Sequence, residues 1–403
     1  MLQWVPQMKT MPVASSESAT HASSISAPPA RLISLDAFRG LLVIGMVLVT
    51  NAGDWNHVYW PLKHADWNGS TPTDMIFPSF LCIVGVSMSF SFAARLSRGE
   101  TRASLAKHLV LRSLYLIVLG LFLNAFPLFD LHNLRIPGVL QRIGLCCLLA
   151  GGVYLAALGR AKARTSVLVA AMAILLAGYW ALMRFVPVPG YGVGRLDMVG
   201  NLGAYIDRGL FGTNHLWFWG GQMWDPEGML STLPATANAL LGLLAGEWLR
   251  SDVSGRRKAV GLALAGGALM VAGLLLNPVL PINKKIWTDS FMLFSGGFSL
   301  TALAVFYAWI DLRGWRKGTL PALIFGSNAI LGFALANMIN PIFGLLGTHD
   351  GTGRLTPVSG VVAGWFTKVL NPWNASLAYA VCFTLLVMAM LWPLYRRRIF
   401  IRL

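Results

Sequence analysis

The stretch "TPTDMIFPSFLCIVGVSMSFSFAARLSR", Thr71 to Arg98, decides the fold. It begins as a helix begins. Thr71 fits the N-cap, Pro72 the first position, where a missing N–H costs nothing, and Asp74 the third, where a carboxylate can reach back to the cap. The apolar run from 74 to 94 then has the roughly 20 residues needed to cross the hydrocarbon layer of a bilayer. It ends on Arg95 and Arg98, the kind of charge that stays on the cytoplasmic side.

Nine more runs of this kind occur near 36–53, 109–126, 137–158, 166–186, 231–250, 259–279, 289–310, 319–340 and 375–395. The 403-residue chain is 56% hydrophobic and 12% charged, about half the charge of an ordinary soluble domain. The expected fold is an all-α polytopic membrane protein, a bundle of about ten transmembrane helices. Residues 358–370 are short and could be interfacial or re-entrant; an eleventh span there would move the C-terminus to the other side.

Lys and Arg are divided unevenly. With the N-terminus inside, twenty fall in cytoplasmic segments and eight on the opposite side, while Arg39, Arg112, Arg142 and Arg184 lie within or at the ends of the runs. Both termini are therefore expected in the cytoplasm. The net charge of +16 is a topology signal first and an attraction to anionic lipid second, so the bilayer is the expected partner and nucleic acid is not. Cys82, Cys146, Cys147 and Cys382 lie in apolar segments without metal-type spacing and are expected in the core. Residues 1–30, rich in Ser, Ala and Pro, are expected to form a disordered cytoplasmic leader, followed by one transmembrane domain from 31 to 403.

Polar residues collect on the non-cytoplasmic side, where five of the seven histidines fall. In "LKHADWNGSTPTD", His64 is a candidate base or nucleophile, because neutral imidazole has a free lone pair near pH 7. An interfacial histidine among Trp55, Tyr59, Trp60 and Trp67 is the plainer alternative. Asp74 fits both a helix cap and an orienting partner for the ring. Asn51, closing the first run, can donate to an oxyanion or simply end the helix. In the membrane, Asp36 and Arg39 are spaced to share a helix face, and Gln141 and Arg142 lie in the fourth run. Charges at such depth read either as paired and snorkelling groups or as an anion site. The long outer loop Pro187 to Leu230 holds Trp224, Asp225 and Glu227, a set that suits a sugar or an amine, although Asp225-Pro226-x-Gly228 is also an ordinary turn. The adjacent Lys284 and Lys285 run against the inside-positive trend and read as loop charge.

Seven segments, "RLISLDAFRGLLVIGMVLVTN", "KHADWNG", "TPTDMIFPSF", "RIPGVLQRIG", "WDPEGMLSTLPA", "LPINKKIWT" and "GSNAILGF", resemble in order the transmembrane heparan-α-glucosaminide N-acetyltransferase family, over roughly residues 31 to 400. The resemblance implies an acyltransferase domain that uses cytosolic acetyl-CoA, with no metal, to acetylate a glucosamine amine across the membrane, and a homodimer. It places the family's essential histidine on His64 and its neighbouring asparagine on Asn51, with Asp74 or Asp66 steadying the imidazolium. Donor-binding roles are expected for Arg39, Asp36, Gln141 and Arg142. Acceptor-binding roles are expected for Asp66, Trp67, Trp224, Asp225 and Glu227. The short leader, where the lysosomal enzyme has a luminal region, implies instead a bacterial inner-membrane enzyme with its site open to the periplasm. An amino-sugar transporter and a glycan O-acyltransferase are the competing functions. Direct transfer and an acetyl-histidine route are both open.

Overall fold

The computed structural model describes residues 32–159, 163–349 and 355–401; the expected leader at 1–30 lies outside them. The ten apolar runs all become helical: α1 (Ile33–Thr50), α2 (Ile76–Leu96), α3 (Arg102–Ala125), α4 (Val139–Ala156), α5 (Arg164–Phe185), then, after a short α6 (Leu202–Phe211) in the outer loop, α7 (Thr232–Arg250), α8 (Gly255–Leu276), α9 (Asp289–Phe306), the pair α10 (Leu320–Ser327) and α11 (Ala329–Leu345), α12 (Val358–Phe366) and α13 (Pro372–Arg396). Strands β1 (Gly347–His349) and β2 (Leu355–Pro357) form one small antiparallel hairpin. Among the described residues, eight of the helical segments are each long and apolar enough to span. The 319–340 run is instead a span broken by 86° between α10 and α11. At 9 residues, α12 rises about 14 Å, which is too short to cross.

Burial sorts the helices. Thirteen of the 21 residues of α2 are buried and three of the 22 of α5, so α2 is central and α5 faces the surroundings. α7 falls outside the eight apolar helices, yet 14 of its 19 residues are buried. Its small residues explain both facts: in lipid, helices associate through close packing rather than hydrophobicity, and small side chains let backbones meet. A Cβ on Gly85 of α2 would overlap the Ala239 carbonyl, and one on Gly242 of α7 would overlap the Cys82 carbonyl. The α1–α10 contact is as tight, with Gly40 against Ala322 and Gly326 against Asp36. Cys82, Cys146 and Cys147 are buried as expected, whereas Cys382 lies on an exposed face of α13.

The helix ends are fastened by residues far away in the chain. The free N–H groups of Ile33 and Ser34 at the start of α1 donate to the Asp311 carboxylate at 3.1 and 3.3 Å, from a π-helical turn, Tyr307–Leu312, that ends α9. A carboxylate there satisfies orphan donors and interacts favourably with the positive end of the helix dipole. Asn328, at the α10–α11 break, donates to the Ile399 carbonyl and accepts from the Ile401 N–H. At the other end of the bundle, the loop before α2 joins the loop before α9: Gly69 N–H donates to the Ile282 carbonyl at 2.7 Å and Asn283 to the Asn68 side chain at 3.2 Å. That junction builds the site.

Candidate active site

His64 stands in a loop closed on itself by Thr71, whose hydroxyl donates to the Lys63 carbonyl at 2.6 Å, and Thr73, which donates to the Pro61 carbonyl at 2.9 Å. Asp74 is 1% exposed and serves both of its expected roles. Its Oδ2 accepts the N–H groups of Thr71 and Ala65 at 3.0 and 3.1 Å, starting the turn that leads into α2, while Oδ1 lies 2.7 Å from His64 Nδ1. Lys284, from the loop before α9, places Nζ 3.1 Å from Nδ1 and 3.5 Å from Asp74 Oδ1.

This arrangement selects a tautomer. An ionised carboxylate only accepts, so Nδ1 must carry the proton it shares with Asp74, and the lone pair of the neutral ring is on Nε2. The ring stays reachable, with 46% of its side chain accessible, while neighbouring protein displaces part of the water around it. That burial lowers the His64 pKa, the Lys284 ammonium lowers it further, and Asp74 opposes both. Burial also lowers the pKa of Lys284, against the pull of Asp74 and Glu227.

Asn51 closes α1 at the same end, since Gly45, nearly two turns earlier, packs against Ile76 at the start of α2. The expected donor role is not available to it as oriented: its amide donates to the Val47 carbonyl at 2.6 Å and to the Thr50 hydroxyl at 3.1 Å, using both protons. What it presents is a buried Oδ1 without a protein partner, an acceptor.

The aromatic and acidic residues expected at the acceptor site are brought together only in part. Trp67 and Trp224 meet edge to face at 5.2 Å, and Lys285 lies over Trp224 while donating to the Asp66 carbonyl at 2.8 Å. Asp66 itself is exposed. Asp225 and Glu227 do not offer free carboxylates. Arg135 takes Asp225 with both arms, at 2.8 and 2.6 Å, and Glu227 at 2.5 Å. Asp225 also makes the expected turn, accepting the Gly228 N–H. Burial raises the pKa of Glu227, but the positive charges of Arg135 and Arg142 win and the net shift is downward.

At the basic end a cavity of about 560 Å³ is lined by Asp36, Arg39, Arg95, Arg98, His108 and Arg112, with apolar walls from α1, α2, α4 and α11. Its lining on α1 runs from Leu35 to Met46, about 16 Å of helical rise. The α10–α11 break opens onto it, as irregular backbone at membrane depth does when it lines a cavity. Asp36 and Arg39 are there as expected. They are paired at 2.5 Å, and Arg39 also donates to the Gly326 carbonyl. Gln141 and Arg142 are not: their neighbours Leu140 and Ile143 face the cavity, which turns these two toward the other side of α4. Gln141 donates to the Ile136 carbonyl. Arg142, 1% exposed, donates to the Gly228 carbonyl and to Ser231, with its guanidinium 5.1 Å from the Trp287 ring.

The sequence reading missed Lys284, Arg135 and the cationic lining of the cavity. For two of these a signal existed. Lys284 broke the inside-positive trend, and His108 and Arg112 are four apart on one helix face.

These parts define a polytopic membrane protein with a carboxylate-bound histidine at one end of its bundle and a cationic cavity at the other. The chain belongs to the heparan-alpha-glucosaminide N-acetyltransferase family, whose catalytic region matches residues 31–275. It is 31% identical to the Homo sapiens heparan-alpha-glucosaminide N-acetyltransferase over 76% of this chain and 53% of that protein, and 32% identical to the Mus musculus protein over 75% and 52%. The chain thus spans about half the length of the curated relatives it matches.

Proposed function

We propose that the chain transfers an acetyl group from acetyl-CoA, taken into the cavity at the basic end, to the amine of glucosamine or a related amino sugar at the His64 end. The excess of Lys and Arg at the cavity end supports a cytoplasmic cavity, and in this reading the histidine faces the periplasm of a bacterial inner membrane. The observation that carries this reading is the Asp74-held imidazole at the opposite end of the bundle from the cationic cavity.

The cavity residues fit such a donor. Arg95, Arg98 and Arg112 supply charge for phosphates, Arg95 being braced by Glu100 and donating to the neutral His108 ring at 3.0 Å; Arg112 has a buried Nε without a protein partner, and the apolar walls suit a thin arm. The donor supplies a thioester carbonyl; the rest is the work of the side chains. Only the unprotonated amine can attack: as its nitrogen bonds to the carbonyl carbon, His64 Nε2 takes a proton from that nitrogen, the carbon–sulfur bond breaks with the sulfur leaving as a thiolate, and the imidazolium returns the proton to the thiolate. Asp74 holds the resulting imidazolium in place. Phe80, among the outermost lining residues, is six positions beyond Asp74, about 9 Å of helical rise. Donor and acceptor therefore approach from opposite ends of a short interval.

The test is transfer of radiolabel from acetyl-CoA to glucosamine by purified protein, wild type beside His64→Ala. Transfer lost in the variant is expected. Retention by the variant would sink the role of His64, and a protein that neither binds CoA nor transfers acetyl would sink the function.

A further inference from the structure

Among the described residues, the best-anchored charge that the proposed mechanism leaves unused is Lys284. Its loop is tied to itself: Asn283 accepts the N–H groups of Lys285 and Ile286 at 2.8 and 3.1 Å, Thr288 accepts that of Asn283 at 3.0 Å and donates to the Pro281 carbonyl at 2.9 Å. Trp287, next along, is 1% exposed, has a φ of +52°, and donates to Asn238 at 3.0 Å. A bulky residue in that conformation is held by its surroundings. The ammonium at Lys284, 15% exposed, therefore comes from a rigid loop and is aimed at the one pair of atoms that defines the histidine.

We propose that Lys284 is a positioning residue for His64: its ammonium, seated against both the imidazole Nδ1 and the Asp74 carboxylate, holds the ring in the neutral form with the Nε2 lone pair free for acyl transfer. This rests on the acetyltransferase function proposed for the chain, and on an electrostatic argument of its own. A buried carboxylate beside a histidine favours the imidazolium, which has no lone pair to offer. Lys284 cancels that preference without displacing the Asp74 hydrogen bond, because the ammonium can pair with Oδ1 while Nδ1 keeps its proton. The charged groups facing the ring are Asp74 from the turn before α2, Lys284 from the loop before α9 and, at longer range, Glu227. Lys63 and Asp66 are exposed neighbours in the ring's own loop, and the Lys285 ammonium is bonded to the Asp66 carbonyl. Glu227 is itself held by Arg135, so Lys284 is the cation placed to offset Asp74.

Carbethoxylation by diethylpyrocarbonate tests this without an acetyl donor or acceptor, since the reagent acylates unprotonated imidazole. The rate at His64 is read by peptide mass spectrometry between pH 5 and 8 in intact detergent-solubilised protein, for wild type, Lys284→Met, Lys284→Gln and Lys284→Arg. The neutral variants should follow a curve displaced to higher pH, with reaction on the acid side slowed about fivefold, the worth of a unit charge at 4 Å in water. The arginine variant should track wild type. Neutral variants that fold and superimpose on wild type would overturn the proposal. So would misfolding of both, which would make Lys284 a structural staple. A wild-type protein without acetyl transfer would refute the function while this curve still reports on Lys284.

Discussion

Replacing Asp74 by asparagine removes one charge and almost no volume, and the hydrogen bonds of the carboxylate dictate how the new amide must sit. On the Oδ2 side the carboxylate accepts two backbone N–H groups, from Thr71 and Ala65. An amide NH₂ turned to that side would leave both donors unsatisfied at about 1–3 kcal/mol each, so the amide oxygen must stay there and the NH₂ must face His64. Nδ1, 2.7 Å away, can then only accept, which moves the ring proton to Nε2. The turn into α2 stays capped and the histidine stays in place, but its lone pair points at the wrong partner. General-base catalysis is worth about 10²–10⁴-fold, and most of that should go. The assay is kcat/KM for acetyl transfer to glucosamine, with a thermal melt of the same preparation. Asp74→Asn keeping kcat/KM within tenfold of wild type, with a normal melt, would refute the tautomer argument.

Two other parts of the molecule give measurable outcomes. Gly242→Val puts a side chain where the Cys82 carbonyl of α2 already lies; overpacking of this kind costs about 1–3 kcal/mol or more, so the melting temperature should fall, whereas Gly267→Ala, with nothing within 4 Å of its added carbon and a better helix former inside α8, should melt at or slightly above wild type. Asp207, 2% exposed in α6, has its pKa raised from 3.8 to about 7, chiefly by burial. The folded state then binds more protons than the unfolded one between those values, and stability falls as pH rises through that window. Asp207→Asn should remove that slope and add no more than about 4 kcal/mol of stability at pH 8, read as a higher melting temperature; a parallel pH dependence in both proteins would contradict the raised pKa of Asp207.

The helices were legible because their signal is redundant. Twenty apolar residues in a row have few alternatives to spanning, and each of the ten runs is helical. What escaped depends on groups distant in sequence. The bend between α10 and α11 follows no proline; it is held by Asn328 bonding a C-terminal segment more than 70 residues on. The outer loop's α6, with 10 residues, was too short to stand out from a stretch read as loop.

The site shows the same division. Asp74 was legible in both of its roles because cap and partner lie within ten residues of it, and local spacing is what a sequence displays. Asp225 and Glu227 looked available to an amine because Arg135, ninety positions earlier, carried no mark of where its loop would fold. Lys284 lies 220 positions from His64, and its hydrogen-bonded loop, not its neighbours in sequence, decides that the ammonium reaches the imidazole. A loop charge acquires chemistry only when packing gives it a direction, and here the junction of Gly69 with Ile282 provides that direction.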